Sequence, residues 1–256
     1  GALGATFSAW LLATLVFPTN FVATFALAAF FITLSWAFLA FAREPEQAVT
    51  APRQSNSQFW AGLPQILRSD GNFRRFILAR LLLVLGGMGA GFLTVAAVSR
   101  WQVSDGVVGL YTLALLIGQT IANAAAGFLA DRKGHKLPLE LSCALLTAAY
   151  LLAWQAPTPA WYYVVFVLLG LGTGAAVVSG TMITLEFSPA DLRPTYTGLI
   201  NTALGLMGMV SPLIGAFLAT RSYNVLFAAS ALFCLAGLVA LHRWVREPRG
   251  LAGLAS

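Results

Sequence analysis

Of 256 residues, 59% are hydrophobic and only 9% charged, and the mean hydropathy is +0.80. A soluble domain needs more charge than this for its surface. The net charge of +6 does not mark a nucleic-acid partner, because nearly all of it falls between long apolar runs, and those unbroken runs also exclude a β-barrel of short alternating strands.

A helix needs about 20 apolar residues to cross the hydrocarbon core. Such runs fall at 2–16, 20–42, 74–98, 107–130, 137–155, 160–187, 195–219 and 223–244. The chain is therefore read as an all-α polytopic membrane protein. The first run is short, ends at Phe17-Pro18, and has neither an initiator Met nor a basic stretch before it. We therefore expect the chain to be the C-terminal portion of a longer protein, its first helix truncated.

Residues 43–73 form the longest interruption. The first part has a Pro/Ser/Gln linker composition. The second places Phe59, Trp60, Leu63, Ile66 and Leu67 at roughly helical spacing, which predicts a short helix in the membrane interface. The run at 74–98 contains Gly86, Gly87, Gly89 and Gly91. Each glycine weakens a helix by about 1 kcal/mol relative to Ala. The run is thus either a bendable helix of the kind that marks transport sites or a close-packing face. It also carries Arg80, five positions beyond Arg75, shallow enough to snorkel to the headgroups. The other reading of Arg80 is an anion contact or a gate ion pair.

At 107–130, Gln119 and Asn123 share a helix face with Gly127. With Asn201 in the run at 195–219, they either bond to other helices or line a polar cavity. The run at 160–187 contains Gly170-x-Gly172-x-x-Ala175 without the strand that a dinucleotide site requires, so its glycines read as a packing face. Gly208, Pro212 and Gly215 predict either a kinked moving helix or plain close packing. Cys143 and Cys234 read as buried thiols. His135 and His242 are isolated, and no metal-ligand spacing exists.

Arg43, Arg53, Arg68, Arg74, Arg75, Arg132, Lys133, Lys136, Arg193, Arg243, Arg246 and Arg249 lie in alternate connections, whereas the intervening ones hold only Arg100 and Arg221. This asymmetry predicts a multi-pass protein of the cell (inner) membrane with a cytoplasmic C-terminus. Arg-Glu-Pro occurs at 43–45 and again at 246–248, each time just past an apolar run. Either copy alone would serve as a helix stop. The pair, six runs apart, predicts a duplicated six-helix unit. That gives 1–42 as the last two helices of an N-terminal half, 43–73 as a linker between halves, and 74–256 as a C-terminal six-helix half.

The stretch Gly127-Phe-Leu-Ala-Asp131-Arg132-Lys133-Gly134-His135-Lys136 resembles the G-x-x-x-D-R/K-x-G-R-R/K signature of the major facilitator superfamily, with His135 in place of the usual Arg. It stands between the second and third runs after the linker, where that signature belongs. Glu186 and Arg193, seven positions apart, resemble the Glu/Arg pattern these transporters carry at the cytoplasmic end of the fourth helix of a half. The resemblance implies a secondary transporter whose halves rock about a central site.

On physical grounds, Gly127 would allow close helix approach and Gly134 a turn with positive φ. Asp131 would cap a helix N-terminus. Arg132 and Arg193 would share Glu186, and with Lys136 nearby such weak pairs would form a gate that breaks and re-forms. The plainer reading is that the cluster merely sets topology. The partners expected are a small-molecule substrate, the lipid bilayer, a coupling proton or ion, and the missing N-terminal half; no cofactor is expected. Efflux of hydrophobic or drug-like compounds is the first expectation for the substrate, with sugars and metabolites open. A scaffold or sensor of the same fold is the alternative, and an enzyme is disfavoured because no nucleophiles, histidines or acids cluster at one depth.

Overall fold

The computed structural model describes residues 18–42 and 64–249, with a few isolated positions before Pro18. The run at 2–16 lies largely outside the described residues, as do Phe59, Trp60 and Leu63. The chain divides into two compact units, Gly1–Arg53 and Gln54–Ser256. The first unit contributes α1, Thr19–Ala40, 22 residues without a charged side chain. At about 1.5 Å per residue it is long enough to cross a bilayer core.

In the second unit, residues 64–69 are helical, and Ile66 and Leu67 pack against the core. The first span is broken into α2 (Gly71–Gly86), a 3₁₀ turn (Gly87–Phe92) and α3 (Leu93–Trp101). Asp70 caps α2 by accepting from the Phe73 N–H at 2.8 Å. Then follow α4 (Asp105–Lys133), α5 (Lys136–Gln155), α6 (Trp161–Phe187), α7 (Arg193–Arg221) and α8 (Tyr223–Trp244). With α1, these make seven helices of membrane-crossing length and composition among the described residues. The fold is an all-α, polytopic membrane architecture, and the spans lie close to where hydropathy places them.

Small residues set the tightest seam, between α4 and α6. A Cβ at Gly118 would run into the Val167 carbonyl, and one at Gly170 into the Leu115 carbonyl. Without a hydrophobic drive between helices in lipid, such backbone approach supplies the packing. On its other side α6 meets α5, where Gly172 abuts Leu146 and Ser142 Oγ donates to the Gly172 carbonyl at 2.7 Å. The glycines of the 168–177 stretch are thus packing faces.

Elsewhere α2 packs on α8 and α7, and α8 on α5. At the end of the bundle remote from the charged island, the Arg100 guanidinium draws three helices together. It donates to the Ala153 carbonyl at 2.8 Å, to Tyr162 Oη at 3.4 Å and to Asn224 Oδ1 at 2.6 Å.

Candidate functional site

At the charged end, α4 stops at Gly134, whose φ of 83° only glycine adopts readily. The next helix, α5, has His135 as its N-cap residue, but that side chain makes no capping bond. The cap comes from far along the chain: Glu247 Oε2 accepts from the Lys136 N–H at 3.0 Å. Its carboxyl fills the space that a side chain at Gly134 would need. Burial pushes the Glu247 carboxyl above its ordinary value, and Glu186 adds to the rise, against the Lys136 N–H and His135.

Glu247 belongs to a short strap that follows α8. Its neighbour Arg246 exchanges backbone bonds with the Asn72 side chain, at 3.0 Å from Nδ2 to the carbonyl and 2.8 Å from the N–H to Oδ1. Arg249 reaches Glu186 Oε1 with Nε at 3.3 Å and the carbonyls of Ala130 and Asp131 with Nη1, each at 3.2 Å. Lys136 and His242 both meet Glu140 Oε1, each at 3.4 Å. The strap therefore fastens the start of α2, the α4–α5 turn and the end of α6 at one place.

This wiring differs from the sequence expectation in named ways. Among the described residues Asp131 caps no helix; it is exposed, and only its carbonyl joins the cluster. Neither Arg132 nor Arg193 pairs with Glu186 among the described residues: Arg132 stacks over the Phe128 ring at 4.1 Å, and Arg193 is exposed at the start of α7. The cationic neighbours of Glu186 are Arg249 and, at 4.0 Å, His135. At Gly127 a Cβ would meet nothing within 4 Å, so the close approach occurs at Gly118 instead. The second Arg-Glu-Pro, read from sequence as a helix stop and a mark of duplication, forms the strap, and neither that role nor its partners could be read from the motif.

Deeper in the bundle, Arg80 lies nine residues past the start of α2, about 14 Å along its axis. Its guanidinium turns inward rather than toward the headgroups. It lies against Gly180 of α6, where an added Cβ would come within 2.6 Å of the guanidinium nitrogens. Nη1 reaches the Ala176 carbonyl at 3.5 Å, and Nε is buried with no hydrogen-bond partner among the described residues. A cavity of about 310 Å³ opens here, lined by Arg80, Gly180, Thr184, Thr197 and Asn201 among others. Gln119 and Asn123 do not line it: Gln119 Nε2 bonds to Thr173 Oγ1 at 3.3 Å, and the Asn123 amide lies beside Gly174.

The glycine cluster divides by role. Side chains at Gly86 and Gly89 would collide with Cys234 and Ser230 of α8, whereas Gly87 and Gly91 face open space. Across from the 3₁₀ turn, Gly215 of α7 packs on the Met88 carbonyl, and Ser211 Oγ donates to the Val84 carbonyl at 3.1 Å. Pro212, next to Ser211, lies inside α7 beside this break. Gly208 has nothing within 4 Å and is no packing point.

Long apolar helices, a span broken at glycines and a cavity with polar and apolar walls define a multi-pass membrane protein with a broken-helix core. Residues 87–254 match the Major Facilitator Superfamily, and the chain belongs to that family, one of transporters rather than enzymes. It is 27% identical over 176 residues to the 4-hydroxybenzoate transporter of Pseudomonas aeruginosa, across 68% of this chain and 38% of that protein. It is 24% identical over 154 residues to the niacin transporter of Acinetobacter baylyi, across 60% of this chain and 34% of that one. The chain thus aligns with well under half the length of either relative. The crystal structure of a D-xylose–proton symporter shares the fold, with a TM-score of 0.51 and 20% identity, over 72% of this chain and 50% of that one.

Proposed function

We propose that residues 74–256 form the second half of a secondary transporter that carries a small molecule across the membrane by alternating access. The observation that carries this reading is the cavity among α2, α6 and α7, which holds the Arg80 guanidinium and lies beside a span interrupted by a 3₁₀ turn. Interrupted helices near a binding site are a recurring device of such transporters. The remaining assignments are residues 1–42 as the end of a first half and 43–73 as the linker. The division into two units near residue 53 and the alignment with half of a symporter chain support them.

The charged cluster is the gate in this reading. Glu186, Arg249, the Asp131 carbonyl, Glu247 and Lys136 hold helix ends together through contacts near water, each weak enough to break in a cycle. The asymmetry of Lys and Arg supports a cytoplasmic position for that end and for the C-terminus, in a cell (inner) membrane. Among the described residues no Asp or Glu lies in the middle of a span, so a coupling proton would be carried by the first half. The substrate is a small polar solute. Relatives named for 4-hydroxybenzoate and niacin support this, as do the guanidinium, hydroxyls and amide around the cavity. Efflux of a hydrophobic, drug-like compound has no support of its own.

The test is flux through the full-length protein in liposomes, with labelled niacin, 4-hydroxybenzoate and glucose. Saturable, protein-dependent counterflow of one of these is expected. No flux above empty liposomes for any of them, from correctly folded protein, would overturn the reading.

A further inference from the structure

Arg80 is a charged group that this half leaves without a countercharge. No carboxylate lies within ion-pair distance of it among the described residues, and no acidic residue lines its cavity. Its one hydrogen bond among the described residues, to the Ala176 carbonyl, is long at 3.5 Å. An unpaired guanidinium in the membrane interior is costly, and such residues mark ion or substrate paths. A second group lining the same cavity is also unsatisfied: Thr197 Oγ1 is buried without a partner among the described residues. By contrast, Thr181 and Thr184 spend their hydroxyl protons on the carbonyls of Val177 and Gly180, at 3.3 and 3.0 Å. Gly180 lets the guanidinium approach the α6 backbone, where any larger residue would displace it.

We propose that Arg80 and Thr197 form a subsite for the carboxylate group of a small organic anion. The planar fork of a guanidinium matches the two oxygens of a carboxylate, and a hydroxyl donor on the wall of the same cavity completes the set. A cavity of about 310 Å³ takes a small anion. Asn201 and the walls of Ile200 and Leu204 would meet the rest of the molecule. The assignment rests on reading the cavity as part of the transport route.

The test is equilibrium binding of labelled lactate and benzoate to the purified full-length protein in nanodiscs, with benzamide and inorganic phosphate as competitors. Saturable binding of at least one carboxylate is expected, displaced by neither competitor. Arg80→Gln should weaken it at least about 30-fold, as for truncating one partner of a buried charged pair. Thr197→Val should weaken it less, and it keeps the test open if Arg80→Gln fails to fold. Binding of neither carboxylate, displacement by phosphate, or affinity unchanged in the variants overturns the subsite; the first outcome would mean that Arg80 is neutralised by another part of the protein. Carboxylate binding without flux of any solute would sink the transport reading and spare the subsite. Flux of glucose without carboxylate binding would do the reverse.

Discussion

The carboxyl of Glu247 lies over Gly134 and accepts from the Lys136 N–H at 3.0 Å, so a residue just past the last helix caps a helix that begins 111 positions earlier. Two features meet there: a backbone conformation reserved for glycine and a carboxyl in the space left by the missing Cβ. Gly134→Ala should therefore be destabilising by about 1–3 kcal/mol from the backbone alone, with displacement of Glu247 added. A lowered thermal midpoint of the full-length protein in detergent is expected, and an unchanged one would contradict this geometry.

The same carboxyl should make stability depend on pH. Its folded value is raised, chiefly by burial, above the unfolded value, so folding favours the protonated form. Stability from this group is thus greatest below the unfolded value. It declines as pH rises through the window between the ordinary carboxylate value and the raised folded one, and is flat above. Glu247→Gln keeps a carbonyl for the Lys136 N–H and removes the titration. The difference in thermal midpoint between wild type and variant should change across that window in favour of the variant as pH rises. A constant difference would show that the site does not desolvate Glu247.

Glu186 and Arg249 should be coupled, and Glu186 and Arg193 should not. The first pair is 3.3 Å apart, but the Arg249 side chain is half exposed. A double-mutant cycle with alanine should give about 0.2–1 kcal/mol. The cycle through Arg193, which has no ion pair among the described residues, should give a coupling indistinguishable from zero. The opposite ranking would restore the wiring expected from the Glu/Arg spacing.

Gly118 and Gly127 lie on the same helix and should behave oppositely. Gly118→Val would drive a side chain into the α6 backbone and should reduce the yield of folded protein. At Gly127 there is room, and Ala is the better helix former, so Gly127→Ala should be neutral to slightly stabilising. Comparable damage at both positions, read by size-exclusion recovery, would argue against this seam.

These contrasts show what a sequence discloses here and why it stops. Hydropathy placed every span that the structure describes, because crossing lipid imposes length and apolarity on each helix separately. The turn at Gly134 was legible for the same local reason. The glycine cluster was legible as a weak point, but only the structure separates Gly86 and Gly89, pressed against α8, from Gly87 and Gly91. The cap by Glu247 and the Arg249 tie to Glu186 were hidden, since they join residues far apart in the chain. Arg80 was ambiguous because its depth suits both snorkelling and an inward turn. Only its neighbour across the seam, Gly180, decides between them.

The most direct measurement for the whole reading is the solvent accessibility of the cavity during transport. Asn201→Cys places a thiol on the cavity wall, Cys143 and Cys234 are buried, and the unsubstituted protein gives the background. In the full-length protein in oriented vesicles, a membrane-impermeant maleimide should label position 201, and adding a transported solute should change the labelling rate. No labelling from either side, or a rate indifferent to every solute that crosses, would contradict a cavity that opens and closes on the transport path.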